Sequence, residues 1–192
     1  MAIDTGAGKR DRRATAEKLV AAAAAEFNAH GYGGTDTNRI ARRAGFAPQT
    51  FYRSFADKAE IFIQVYELWQ QQEAQLLRGL LAENASDAAV VEAAVAHHRA
   101  YLVFRRSLRQ LSTENDRVRA ARAESRLRQV RQIAMWRGAP PEAAPQIAAA
   151  LLQMERLADA LAEGELADMG LDETAAAAAL AGIIHGLRAP AG

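Results

Sequence analysis

The sequence predicts an all-α protein, and three observations carry that prediction. Apolar residues recur at i, i+3 and i+4 along nearly the whole chain, as in Ala16, Leu19, Val20, Ala23 and Phe27. Alanine supplies much of the apolar half of the composition, and it favours both helix and close helix contacts. No alternating apolar and polar run is long enough to read as a strand.

The elements follow in order. The first helix carries the stripe just named and stops at Gly31, a residue suited to the left-handed position after His30. A short second helix opens after Thr35 with Asp36 as its N-cap and ends at Gly45. Pro48 opens a third, because proline fits the first helical turn. In "DKAE", Asp57 caps a fourth helix and Glu60 completes a capping-box-like pair; Ile61, Phe62, Val65, Leu68 and Trp69 then lead on to Leu76 and Leu80. Beyond "ENASD" the period resumes through Val91, Ala94, Val95, His98, Tyr101 and Leu102. A further stripe is expected from Ala120, Ala123, Leu127, Val130 and Ala134. "RGAPPEAAP" holds three prolines and breaks any helix. Two helices follow, over residues 145–163 and 172–187.

Charge is segregated along the chain. Residues 1–58 carry a net +4 and residues 99–137, with eleven arginines against three acids, a net +8; the acidic segments 59–98 and 138–192 return the total to +1. Different segments therefore suit different partners. The absence of cysteine excludes disulfides and thiolate metal sites and fits a reducing cytoplasm. The basic start "MAIDTGAGKRDRR" lacks a signal core, and "TAAAAALAGIIHGL" is shorter than the roughly 20 apolar residues of a membrane span, so a soluble, cytoplasmic protein with no membrane contact is expected. No nucleophile elbow, phosphate loop, metal-ligand spacing or cofactor motif is present, which argues against an enzyme. Asp159 and Glu163, four apart on one helix, read as a solvated face. Four histidines without cysteine make a metal site unexpected, and His98 on an apolar stripe suits a hydrogen-bonded core residue.

The most informative stretch is "TNRIARRAGFAPQTFYRSFADKAEIF", residues 37–62. A short helix, a one-glycine turn and a second short helix form the layout of a helix-turn-helix. Ile40, Ala41 and Ala44 give the first helix its small apolar face, Gly45 permits the turn, and Phe46 plugs beneath it. Phe51 and Phe55 anchor the second helix, leaving Pro48, Gln49, Thr50, Tyr52, Arg53 and Ser54 outward, where such groups can bond to base edges and phosphates.

The run "GYGGTDTNRIARRAGFAPQTFYRSFADKAEIF" resembles the DNA-binding domain of TetR-family transcriptional regulators. Gly31, Tyr32, Thr35, Ile40, Ala41, Ala44, Gly45, Thr50, Tyr52, Phe55 and Lys58 stand where that family's pattern expects them, and the similarity covers roughly residues 12–66. Two positions depart from the pattern. Ala47 replaces the usual serine cap of the recognition helix, a loss of about 1 kcal/mol, and Asp36 replaces a frequent threonine or serine.

The resemblance implies a flexible basic arm over 1–11, a helix-turn-helix domain over 12–58, and a helical effector-binding and dimerisation domain over 59–192. It implies base contacts from Asn38, Gln49, Thr50 and Tyr52, and phosphate contacts from Thr37, Tyr52, Arg53, Ser54 and Lys58. The arm "KRDRR" either touches DNA or stays solvated. A homodimer on a palindromic double-stranded operator follows, as does repression relieved by a small-molecule effector. Dimer-interface candidates are Leu151, Met154, Leu157 and Leu161 on one helix and Leu180, Ile183, Ile184 and Leu187 on the last, although both helices could instead close the monomer core. Effector-pocket candidates are Phe62, Tyr66, Trp69, His98, Tyr101, Phe104, Met135, Trp136 and Met154, each of which also suits ordinary core. The arginine-rich segment admits either an anionic effector or a solvated face paired with the acidic segments.

Overall fold

The computed structural model describes residues 6–188, with side chains from Arg10 onward. Among the described residues all regular secondary structure is helical: α1 (Gly6–His30), α2 (Thr37–Arg43), α3 (Pro48–Phe51), α4 (Lys58–Ala82), α5 (Asp87–Ala100), α6 (Leu102–Glu114), α7 (Asp116–Arg137), α8 (Ala144–Glu163), the single turn α9 (Glu165–Asp168) and α10 (Thr174–Arg188). A short 3-10 turn, Pro141–Ala143, precedes α8.

Several boundaries have the causes that the sequence indicates. Asp36 caps α2 by accepting from the Arg39 N–H at 2.8 Å, while Ala47 makes no side-chain cap to α3. Gly31 (φ 68°) and Gly45 (φ 79°) occupy the left-handed region that follows α1 and α2. Asp57 accepts from the Glu60 N–H at 2.8 Å, and the Glu60 carboxylate accepts from the Ala56 N–H at 2.6 Å.

Other boundaries differ from expectation. α1 starts at Gly6, so residues 6–11 of the expected arm are its first turns; residues 1–5 lie outside the described residues. The helical run at Pro48 ends at Phe51, and the chain reaches Phe55 through tight turns, with Ser54 N–H donating to Phe51 O at 2.9 Å. The stripe expected to continue past His98 breaks at Tyr101 (φ −118°, ψ 27°), where neither glycine nor proline marks the change. On α7 the buried residues are Val118, Ser125 and Val130, whereas Ala120, Ala123 and Leu127 are exposed.

The chain divides into two compact units. The first holds the residues up to Trp69 together with Val103–Val118; the second holds Gln70–Leu102 and the chain from Arg119 onward. The division expected at residue 58 is thus displaced, because the apolar side chains beyond it complete the first core. Phe62 packs edge-on to Phe27 (centroids 5.0 Å) and Tyr32 (5.3 Å) and tilts against Phe104 (5.0 Å). These aromatic contacts tie α1, α4 and α6 together beneath α2 and α3, whose own anchors Ile40, Ala41, Phe51 and Phe55 are buried.

In the second unit α5, α8 and α10 pack against one another. Val90, Val91, Ala158, Leu161, Leu180 and Ile184 form one apolar cluster, and Val130, Ile147, Leu151 and Leu187 form another. Met154 packs against both clusters, Leu157 against the first and Ile183 against the second. The dimer-interface candidates Leu151, Leu161, Leu180, Ile184 and Leu187 are therefore buried core of the protomer, with Met154, Leu157 and Ile183 at its margins. An apolar helix with two neighbours in its own chain buries more than one face without a second copy.

Candidate nucleic-acid interface

The first unit presents α2, the Gly45 turn and α3 as one polar ledge. Its rigidity begins in the backbone: Gly45 N–H donates to Arg42 O at 3.0 Å and Phe46 N–H to Ala41 O at 2.9 Å, satisfying carbonyls at the end of α2. Phe46 is only half-buried, so it shields the turn less completely than a plug would. α3 then anchors through Phe51, fully buried, and Phe55.

The outward residues are those the sequence indicates. Asn38, Gln49, Tyr52 and Arg53 are exposed, Tyr52 at 59% of its surface; Thr37, Thr50 and Ser54 are half-buried. Thr37 and Tyr52, fifteen residues apart, share a hydrogen bond between their hydroxyls at 3.0 Å. That bond couples α2 to the end of α3 and orients the phenol along the ledge.

Lys58 is placed differently from the expected phosphate ligand. Its ammonium donates to Tyr32 O at 2.8 Å and Thr35 O at 2.9 Å and sits 4.0 Å from the centroid of the Tyr32 ring. Two of its three donors thus close the loop between α1 and α2. Burial holds its pKa below the ordinary lysine value.

One element of the interface escaped the sequence reading. Glu26, with a side chain 7% exposed, accepts from Arg39 Nε at 3.0 Å and from Arg43 Nη1 at 3.1 Å; His30 Nε2 lies 3.9 Å away. Burial pulls the Glu26 carboxyl upward, but the hydrogen bonds from the two arginines outweigh it and hold the group below its ordinary value. The signal was available: Glu26 interrupts the buried stripe of Leu19, Ala22, Ala23 and Phe27, and Arg39 and Arg43 are four apart on one face of α2.

The effector candidates do not converge. Phe62, Tyr66, Trp69 and Phe104 are buried in the first unit, where Trp69 also stacks under the Arg105 guanidinium at 4.4 Å. Met135 and Trp136 are 81% and 60% exposed. Tyr101 donates to Gln72 at 3.0 Å, and Met154 packs in the protomer core. His98 is buried with Nδ1 2.8 Å from Asp159 and Nε2 3.0 Å from Glu73. Asp159 is therefore buried, not part of a solvated face. Both ring nitrogens are thus engaged by carboxyl groups, and neither is left for a metal. Among the described residues no cluster of His, Asp or Glu could hold a metal ion.

An open recess of about 510 Å³ lies elsewhere in the second unit, lined by Arg137, Glu142, Gln146, Ile147, Ile183 and Leu187 among others, and by none of the nine candidates. Arg122 and Arg126, with side chains only 11% and 31% exposed, pair with Glu155 of the acidic segment 138–192, whereas Arg128 pairs with Glu124 inside the arginine-rich segment itself.

A glycine-turned pair of short helices with a buried aromatic anchor and an exposed polar edge defines the first unit as a helix-turn-helix DNA-binding module. Residues 19–65 match the family of bacterial regulatory proteins of the tetR type. That stretch takes in the second half of α1, all of α2 and α3, and the start of α4. No curated protein matches the sequence. Solved structures share the fold at low identity. A protein of Streptomyces coelicolor A3(2) assigned as a transcriptional regulator is 21% identical with a TM-score of 0.63, covering 90% of this chain and 97% of its own. A transcriptional regulator of Rhodococcus sp. Rha1 is 18% identical with a TM-score of 0.62, covering 90% and 95%. A protein of Mesorhizobium loti MAFF303099 assigned to the TetR family is 18% identical with a TM-score of 0.59, covering 92% and 96%.

Proposed function

We propose that the protein is a homodimeric repressor that leaves a palindromic operator when a small molecule binds its second unit. The observation that carries this reading is the division of residues around α3: Phe51 and Phe55 are buried while Gln49, Tyr52 and Arg53 face solvent. Asn38, Gln49, Thr50 and Tyr52 read base edges; Thr37, Arg53 and Ser54, with Tyr52, bind phosphate. Lys58 serves binding through the loop that it closes, and its positive charge adds to the attraction for phosphate.

One such module reads only a few base pairs, so two-fold pairing sets recognition helices about 34 Å apart or a multiple of it. The surface for pairing is the outward face of α8 and α10 in place of the buried leucines. Ala149, Leu152 and Gln153 on α8 and Ala175, Ala178, Ala179, Gly182 and Gly186 on α10 are exposed, and small side chains let helices approach closely. Release follows from linkage: an effector that favours the DNA-incompatible state lowers DNA affinity by the same factor. No helix among the described residues is long and apolar enough to cross a membrane, and a cytoplasmic location suits a protein whose partner is DNA.

The test is Gln49→Ala. It is expected to weaken binding to the preferred duplex by about 1–3 kcal/mol and to relax discrimination at one base pair of each half-site. A binding profile across operator variants identical to wild type would remove Gln49 from the reading edge and the reading with it.

A further inference from the structure

Of the cations on α2, Arg39 and Arg43 stand on the same face, one turn apart, and both point at one buried acid. Glu26 takes Arg39 Nε at 3.0 Å on one carboxylate oxygen and Arg43 Nη1 at 3.1 Å on the other. The Glu26 side chain is nearly inaccessible, whereas those of Arg39 and Arg43 are 40% and 50% exposed. The same residue is fixed at its backbone, since Thr35 Oγ1 donates to Glu26 O at 3.2 Å. The acid is therefore rigid and the guanidinium groups lie at the border of solvent, held by charge-assisted hydrogen bonds.

This placement has a consequence for DNA. Affinity without sequence preference grows with the number of cations delivered to phosphate, and each adds about 0.9 to the salt slope. An arginine held on a carboxylate contributes positioning to α2 but little to counterion release. An arginine freed from it, on a long flexible stem at the edge of the recognition ledge, would bind any duplex.

We propose that Glu26 is a specificity-determining positioning residue: it holds Arg39 and Arg43 against α1 and so withholds two phosphate-binding cations from the interface. Binding then depends more on the edge carried by Asn38, Gln49 and Tyr52 than on unspecific attraction. The inference rests on the DNA-reading role of the first unit and adds to it a control on how strongly the wrong sequences are held.

The experiment compares wild type, Glu26→Gln and the double variant Arg39→Gln with Arg43→Gln. Each is titrated with a mixed-sequence duplex and with the duplex selected by wild type, over a series of salt concentrations. Glu26→Gln keeps the shape of the side chain and removes its charge. Its slope of log affinity against log salt on mixed sequence is expected to steepen by about one to two units, and the ratio of selected to mixed affinity to fall. A protein merely loosened by the change would bind less, not with a steeper slope. The double variant is expected to keep the wild-type slope, because the two arginines do not reach phosphate in wild type; this arm does not need Glu26→Gln to fold. A double variant with a flattened slope, or a folded Glu26→Gln with an unchanged one, overturns the proposal while leaving the DNA-reading role intact. A wild-type protein that binds neither duplex overturns that role and the proposal together.

Discussion

Replacing Phe62 with alanine is expected to destabilise the first unit by about 3–5 kcal/mol, the usual cost of truncating a fully buried phenyl ring. The size follows from its position. The ring has no solvent exposure and touches Phe27, Tyr32 and Phe104, so its loss leaves a cavity between three helices. Trp69 is buried in the same unit and gives a fluorescence signal for its urea unfolding. This substitution also separates two roles for Phe62. A residue lining an effector pocket would alter ligand affinity with little loss of stability. A midpoint shifted by less than about 1 kcal/mol of stability would return Phe62 to the pocket candidates.

The second large effect is expected at His98. Its ring lies between Glu73 of α4 and Asp159 of α8, and His98 itself belongs to α5, so one side chain ties three helices of the second unit. His98→Ala removes the ring that hydrogen-bonds to both buried acids, Glu73 and Asp159. Removing one partner of a buried ion pair costs about 3–5 kcal/mol, because its counterpart stays desolvated. Converting the whole set to apolar residues of similar volume (Glu73→Met, His98→Phe and Asp159→Leu together) is expected to cost far less than the single change, since it removes the desolvated charges as well. Urea unfolding followed by helical circular dichroism reads both. A single variant no less stable than the triple variant would contradict the charged account of this cluster.

Local chemistry made much of the first unit legible in sequence. Asp36 caps α2 because its carboxylate reaches the third N–H of the helix, and Gly31 and Gly45 adopt the left-handed backbone that such helix ends require. Gln49, Tyr52 and Arg53 face outward because Phe51 and Phe55, four apart, take the inward face. These features depend on neighbours a few residues away. The second unit was less legible, since its features depend on which distant helix lies opposite. Leu180, Ile184 and Leu187 form a stripe that fits a partner copy or a neighbour in the same chain equally well, and α5 and α8 supply the neighbour. Large side chains on central helices suit a pocket or ordinary core equally in sequence; Phe62 and Phe104 fall in one core while Met135 and Trp136 face solvent. Periodicity assigns a face to a residue but not the identity of what covers it. Glu26 illustrates the converse: a charge within an apolar stripe marks a partner that spacing alone does not name.

Repeated selection from a random-sequence duplex pool decides whether the ledge formed by α2 and α3 reads a duplex. Enrichment of a two-fold symmetric sequence is expected, with half-sites about one helical turn apart or a multiple of it. A pool that stays random through successive rounds, with binding equal to that of a heparin-like polyanion, would contradict that reading role.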